Sequence, residues 1–300
     1  MRERLEFYLA ATVLKLLTWL PRPLTRGVTQ LIGFLGYCLA GRLRHVANFN
    51  LSLALPGLTQ TERRRIVKGV FKNLARLLAE FSQFPKFTLQ NIEKIVIYDG
   101  FENYAKAKEQ GRGVLIMTAH FGAWELASFA HSVYGYPLKF LVRPLDNPRV
   151  DTLIMQYRQM AGNKGIDKRN SMREILRTLR RNEVVGILID QNASREEGVF
   201  ADFFGIPAST TAGLATLAMR TGAAVVPGLL IWDERIKKHR LRFEPSVPLQ
   251  DTGNFQVDVV ANTARFNRVL EEKIRAYPDQ WLWVHRRWKT RPEGERALYG

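Results

Sequence analysis

The chain holds a single cysteine, Cys38, in 300 residues. That excludes an intramolecular disulfide and any multi-cysteine zinc or iron–sulfur site. Acidic residues are scarce as well: 28 Asp plus Glu stand against 45 Lys plus Arg, a formal net charge of +17. An excess of this size attracts anions at long range, so nucleic acid, an anionic membrane and an acidic carrier protein all qualify as partners. No Gly-x-Ser-x-Gly elbow occurs, which removes the serine nucleophile of the α/β-hydrolases. The five histidines, His45, His120, His131, His239 and His285, show no metal-ligand spacing, and neither a metal nor any other cofactor is expected. Internal repeats, low-complexity tracts and long linkers are absent. So is a hydrophobic run of bilayer length: the N-terminal run Leu5 to Leu20 contains Lys15 and falls short of the roughly 20 residues needed to span.

What is present is enough apolar sequence, 46% of the chain, for a large core. The N-terminal run carries Arg2, Arg4, Arg22 and Arg26 on its flanks and Trp19 near its end, and no small-residue cleavage site follows it. These features predict an interfacial helix rather than a removed signal peptide. A second apolar segment, "GVTQLIGFLGYCLAGRL", follows directly. Residues 1–43 are therefore expected to form a membrane-associating helical part, held at the cytoplasmic face of an anionic membrane by the basic flanks. Residues 44–300 are expected to form the α/β domain with a helical lead-in.

Within that lead-in, Thr59 and Glu62 have capping-box spacing. Ile66, Val70, Leu74, Leu77, Leu78 and Phe81 then fall on one helical face, opposite Arg63, Arg64, Lys68, Lys72 and Arg76. From about Lys94 strand-like runs alternate with helical ones: "EKIVIYDG", "GVLIMTA", "LKFLV", "VVGILI" and "AAVVPGLLIW" are the strands. Two helical stretches are expected across 149 to 182, the second capped by Ser171 and Glu174, and another helix in "TTAGLATLAMRTG". Alternation of this kind predicts a mostly parallel central sheet flanked by helices. Ligands of such sheets bind outside the carboxyl ends of the strands, where His120, Arg143 and Asp190 each follow a predicted strand.

The stretch "TAHFGAWELA" ends a buried strand on His120 and places Glu125 five residues later. A neutral imidazole accepts a proton from a hydroxyl near neutral pH once its tautomer and orientation are fixed. With His120 in the turn before a helix and Glu125 in its first turns, the two side chains are expected to meet. Such a pair lacks only a nucleophile, and a substrate hydroxyl supplies one, which points to acyl transfer onto an alcohol.

The same stretch resembles the catalytic block of the lipid A biosynthesis acyltransferases, the lauroyl and myristoyl transferases within the wider lysophospholipid acyltransferase superfamily. "RHVANFNLSLALP", "VRPLDNP", "DQNASREEGVFADFFGIPASTTAGLATLAMRTGAAVVP" and "WLWVHRRWKTRP" resemble that family's other blocks in order, so the likeness covers nearly the whole chain. One departure is Ala123, where many members carry Asn. The resemblance implies transfer of a fatty acyl group from an acyl carrier protein thioester to a hydroxyl of an anionic membrane glycolipid, a lipid A precursor or a relative. His120 would be the general base and Glu125 its orienting partner. Arg143 would bind phosphate or the developing oxyanion, and Asp190 and Gln191 would shape the acceptor side. Phe203, Phe204 and Pro207 are candidate walls for the acyl chain, and Arg286, with Arg287, a candidate lipid-phosphate contact, while Trp281, Trp283 and Trp288 pack in a final strand. Two alternatives are a relative that acylates another glycolipid, such as a phosphatidylinositol mannoside, from acyl-CoA, and a basic nucleic-acid-binding protein. The second has only charge in its favour, with no helix-turn-helix, RNP or zinc-finger pattern, so no nucleic-acid partner is expected.

Overall fold

The reciprocal cap at Thr59 forms as its spacing predicts: the Glu62 backbone N–H donates to Thr59 Oγ1 at 3.3 Å and the Thr59 N–H donates to Glu62 Oε2 at 2.8 Å. It starts α4 (Gln60–Ser82), which follows α1 (Arg2–Trp19), α2 (Arg22–Leu39) and α3 (Gly41–Ala54) in a computed structural model that describes residues 1–167 and 171–299. Ile66, Val67, Val70, Phe71, Ala75 and Ala79 of α4 are buried, and Arg64, Lys68 and Lys72 are exposed. Arg76 departs from the expected polar face. It is buried, donates to Asn73 Oδ1 at 3.2 Å and stacks on the Trp232 ring at 4.4 Å.

Helix α2 lies against α4 with its small residues inward. Thr25 and Thr29 are its buried positions, and a Cβ added to Gly33 would meet Ala75 Cβ at 2.7 Å and the Phe71 carbonyl oxygen at 2.9 Å. Backbones approach this closely only where side chains are minimal. The opposite stripe, Leu24, Val28, Leu31 and Leu35, is exposed, as are Leu5, Leu9, Leu16 and Trp19 of α1. Among the described residues no helix is long and apolar enough to cross a membrane.

An ion cluster holds α2 in place. Glu80 of α4, fully buried, accepts from Arg22 Nε and Nη2 at 3.0 and 2.9 Å, from Arg26 Nη2 at 2.7 Å, and lies 3.4 Å from His239 Nε2. Burial alone would raise the Glu80 pKa, but His239 and Arg22 hold it far below the usual carboxylate range.

The sheet contains β1 (Val96–Asp99), β2 (Val114–Thr118), β3 (Lys139–Val142), β4 (Lys164–Asp167), β5 (Val184–Leu188), β8 (Ala224–Asp233) and β9 (Lys238–Phe243), while β6 (Gly198–Phe203) and β7 (Ile206–Thr211) form a separate hairpin. The order is β1-β9-β8-β2-β5-β3-β4, parallel at every pairing except the antiparallel β8–β9 hairpin. The five expected strands are present, so the mostly parallel α/β architecture holds. Three features are additional: β9, the β6–β7 hairpin inside the long third block, and β4, which separates the two helices foreseen across 149 to 182. The cap foreseen at Ser171 lies outside the described side chains. Helices α5 (Leu89–Ile92), α6 (Phe101–Glu109) and α7 (Trp124–Val133) cover the face that carries Val114, Ile116, Val226 and Leu230; α8 (Pro148–Gln159) lies beside α7. Helices α9 (Ser171–Arg180), α10 (Gly213–Thr221) and α11 (Phe255–Ala276) cover the face of Leu115, Met117, Val185 and Ile187.

Removing the Glu80 carboxylate would leave two arginines facing each other across a buried gap. Glu80→Ala is expected to cost about 2–3 kcal/mol, below the full penalty of a broken buried pair because both arginines keep some solvent contact. Denaturant unfolding would show a lowered midpoint, and limited proteolysis faster cleavage before residue 40; an unchanged midpoint would contradict this account of how α2 is held.

Candidate active site

Strands β2 and β5 are neighbours in register, with Thr118 paired to Leu188. Two residues beyond each lie His120 and Asp190, so parallel pairing brings them together at the carboxyl edge. The turn that carries His120 depends on Gly122, whose φ is +59° and where a Cβ would lie 1.8 Å from the Leu230 carbonyl oxygen. Only glycine fits there.

His120 is held by Asp190 at two points: Nδ1 lies 2.9 Å from Asp190 Oδ1, and the backbone N–H donates to Oδ2 at 3.0 Å. Trp281 Nε1 donates to the same Oδ2 at 2.8 Å. A carboxylate only accepts, so Nδ1 carries the proton and Nε2 presents its lone pair; the Gln191 amide nitrogen lies 3.3 Å from that Nε2. Burial disfavours the charged ring, but Asp190's charge and hydrogen bond, with Glu125 adding to them, raise the His120 pKa above its ordinary value. Asp190, 2% exposed, would be raised by burial, yet His120 and Trp281 hold it below its ordinary value.

The partner of His120 thus differs from the one expected. Glu125, in the first turn of α7, turns toward α8 and takes Arg158 Nε and Nη2 at 2.8 and 2.5 Å. The chain step from turn to helix directs its carboxylate past the imidazole, and the role of fixing the ring falls to a residue seventy positions later. Glu125 stays close enough for its charge to raise the His120 pKa. Arg158 escaped the sequence reading because nothing in "IMQYRQM" separates it from a solvated helical arginine.

His120, Glu125, Arg158, Arg143 and Gln191 all line one cavity of about 930 Å³. Arg143 is exposed at its rim, one residue past β3. Beneath α7 the cavity runs over the sheet between Ile116, Gly186, Leu138, Phe140, Leu241 and Phe243. Phe203, Phe204 and Pro207, expected as its walls, lie elsewhere. Phe203 is fully buried against Trp281 and Trp288, Phe204 turns the β6–β7 hairpin with φ +58° and packs on Phe203, and Pro207 is exposed on that hairpin. Among the described residues no group of His, Cys, Asp and Glu is arranged to hold a metal ion.

The C-terminal block is a buttress rather than a strand: a β-bridge pairs Phe121 with Trp281, and side-chain hydrogen bonds tie Trp281 to Asp190 and His285 to Asn192. Trp281, Trp283 and Trp288 are buried as expected. Arg287, expected at lipid phosphate, is fully buried and donates to the Ser209 carbonyl oxygen and Thr210 Oγ1 at 2.8 and 2.5 Å. Arg286 is half-buried, with its guanidinium 5.6 Å from the centre of the Tyr299 ring. From the N-terminal block, Asn50 Nδ2 donates to the carbonyl oxygens of Trp283 and His285, both at 2.7 Å.

The fold and site define an α/β protein with an imidazole–carboxylate pair at the carboxyl edge of a mostly parallel sheet, where a cavity opens that is lined by both charged and apolar side chains. Comparison with known sequences specifies the class: the family model of the bacterial lipid A biosynthesis acyltransferases matches residues 1–290, and the chain belongs to that family. It is 30% identical over 288 residues to the Escherichia coli K12 protein named lipid A biosynthesis palmitoleoyltransferase, covering 96% of this chain and 92% of that one. It is 29% identical to the same organism's lipid A biosynthesis lauroyltransferase, over 97% and 94% of the two chains. The myristoyltransferase of that organism is 25% identical over 87% of this chain and 80% of its own.

The site geometry fixes a pH dependence. Activity that needs neutral His120 is lost as pH falls through its pKa, so the acid limb should lie above the ordinary histidine value. Asp190→Asn removes the charge that raises this pKa and one of the two acceptor oxygens that fix the ring and its tautomer. It should move the acid limb to lower pH and reduce kcat on the order of 10²-fold to 10⁴-fold. An unmoved acid limb in a pH–rate profile would assign it to another group.

Proposed function

We propose that the protein transfers a fatty acyl group from an acyl carrier protein thioester to a hydroxyl of a lipid A precursor. The observation that carries this reading is the His120–Asp190 pair at a cavity that runs beneath α7 over Ile116, Leu138, Phe140, Leu241 and Phe243. The acyl chain lies beneath α7, and the thioester carbonyl stands at the sheet edge. The acceptor hydroxyl takes the place of the Gln191 amide at His120 Nε2. That nitrogen removes the hydroxyl proton as the oxygen attacks the thioester carbon, and the imidazolium is stabilised by Asp190. Collapse of the tetrahedral intermediate forms the ester, breaks the C–S bond and returns the proton to the leaving thiolate. Arg143 at the rim supplies positive charge for a phosphate or the oxyanion. Glu125, the other expected catalytic residue, contributes through its charge on the imidazole and by fixing Arg158 in the cavity wall.

Two surfaces support recruitment. Residues 1–43 bind the cytoplasmic face of the inner membrane through the outward stripe Leu24, Val28, Leu31 and Leu35 and the apolar side of α1, with the exposed Arg2, Arg4 and Arg42 toward anionic lipid, whereas Arg22 and Arg26, expected there, are taken up by Glu80. Arg64, Lys68 and Lys72 form an exposed basic face on α4 suited to an acidic carrier.

Purified enzyme offered carrier-protein and CoA thioesters with extracted lipid A precursor should yield a product heavier by one acyl ester, favouring the carrier-protein donor. His120→Ala should reduce product on the order of 10²-fold to 10⁴-fold with the fold intact. A variant that retains near wild-type rates would remove His120 from the mechanism. For the membrane, Leu31→Glu with Leu35→Glu should abolish co-sedimentation with vesicles of anionic phospholipid while the circular dichroism spectrum is unchanged. Full retention on the vesicles would place the contact elsewhere. Point variants serve better than deletion here, since deletion would also remove the partners of Glu80.

A further inference from the structure

The first helix and the rim of the cavity meet at one side chain. Arg143, Pro144, Leu145 and Asp146, which lie between β3 and α8, all line the cavity. Asn147 follows them as the N-cap of α8 and is 8% exposed. Its Oδ1 accepts from the backbone N–H groups of Arg149 and Val150 at 3.1 and 3.4 Å. Its Nδ2 donates in the other direction, to the Glu3 carbonyl oxygen and to Glu6 Oε2 of α1, both at 2.9 Å.

Capping needs only the accepting half of this side chain. An ionised aspartate would cap α8 as well but has no proton to give to α1. The amide is therefore suited to capping one helix while holding another. The rim is tied to the same point: the Leu145 N–H donates to Asp151 Oδ1, and the Asp151 N–H donates to the Asn147 carbonyl oxygen, both at 2.9 Å. Arg143 lies four residues before Asn147, at most about 14 Å of chain, so a shift at Asn147 is felt at the cavity mouth. On α1 the turn that takes the amide also faces outward. Leu5 and Leu9, one turn apart on a shared face, are 70% and 65% exposed, while Glu6 between them is half-buried and holds Asn147.

We infer that Asn147 is a positioning residue for the acceptor: it holds the rim segment that carries Arg143 against α1, so that the helix seated on lipid also sets the mouth through which the glycolipid enters. The inference rests on the reading that residues 1–43 lie on the membrane.

The test measures acceptor and donor constants separately, with lipid A precursor presented in vesicles of anionic phospholipid and the acyl group on carrier protein. Asn147→Asp keeps the cap, loses both donors and sets a second carboxylate against Glu6. It should raise the acceptor KM about five- to thirtyfold, the worth of the lost hydrogen bonds, with the donor KM and co-sedimentation with the vesicles unchanged. Adding Glu6→Gln to that variant places an amide donor opposite the new carboxylate and should bring the acceptor KM back toward wild type, a recovery that a purely structural role of Asn147 would not show. Glu6→Ala, which leaves the cap and the rim untouched, should raise the acceptor KM about two- to fivefold and provides the comparison if Asn147→Asp lowers the melting temperature. An acceptor KM unmoved in both single variants, or one that rises together with the donor KM and is not recovered by Glu6→Gln, overturns the inference. If wild type itself fails to co-sediment with the vesicles, the membrane reading fails and the inference with it; if it co-sediments while both variants keep its acceptor KM, only the role of Asn147 falls.

Discussion

The carboxylate of Asp190 is the constraint around which the rest of the site is arranged. It is a buried charge, and a buried charge is tolerated only when hydrogen bonds replace the water it has lost. Its three donors come from distant parts of the chain: the backbone and the ring of His120, and the indole of Trp281. The next residues extend the connection. Asn192 donates its backbone N–H to His285 Nε2 at 3.0 Å, and its side chain exchanges hydrogen bonds with Thr290. The segment after α11 therefore helps to hold the carboxylate that orients the imidazole, and Asn50 of α3 fastens that segment from the far side. What resembled four separate sequence blocks is one hydrogen-bonded assembly around a single negative charge.

The cavity follows from glycine placement in the sheet. On the face beneath α7, Ile116 of β2 is flanked in register by Gly186 of β5 and Val226 of β8, with Gly228 the next position on that face of β8. A central parallel strand ordinarily fills both faces with branched side chains. Here one face does so through Leu115, Met117, Val185 and Ile187, while the other leaves room where Gly186 has no side chain. Asymmetry between the faces lets one sheet provide both a rigid platform for the edge that carries His120 and Asp190 and an open space under α7.

How much of this could be read from sequence depends on whether the determining contact is local. Strand ends were legible because the alternation of runs fixes them, and the rule that ligands gather at carboxyl ends then grouped His120, Arg143 and Asp190 correctly. The partner of His120 was not legible. Glu125 is near in sequence, Asp190 is near only through the β2–β5 pairing, and no linear spacing reports which strands are neighbours. The same holds for Phe203 and Phe204: their apolar character shows, but the hairpin that carries them away from the cavity is a matter of tertiary packing. Arg76 shows the reverse error. It keeps the helical period of the polar face, yet Trp232 from β8 covers it.

Helix α2 brings stability and orientation together. Its inward residues are mainly threonine and glycine, with Tyr37 against Phe71 in its last turn, and they bury less apolar area than the exposed leucine stripe would, so the hydrophobic effect in water would favour the opposite rotation. Specific polar contacts hold the observed one: Arg22 and Arg26 bind Glu80, the Thr25 hydroxyl donates to the Leu17 carbonyl oxygen at 3.0 Å, and Gln83 Nε2 donates to Thr25 Oγ1 at 3.1 Å. Each fixes the rotation of the helix without using its apolar stripe. A helix attached by charge and hydrogen bonds on one side leaves its hydrocarbon available on the other. In water that outward stripe is a cost, and the cost disappears when a lipid surface covers it. The ion cluster at Glu80 is thus what allows the first forty residues to remain part of the folded protein while presenting an apolar face to the surroundings.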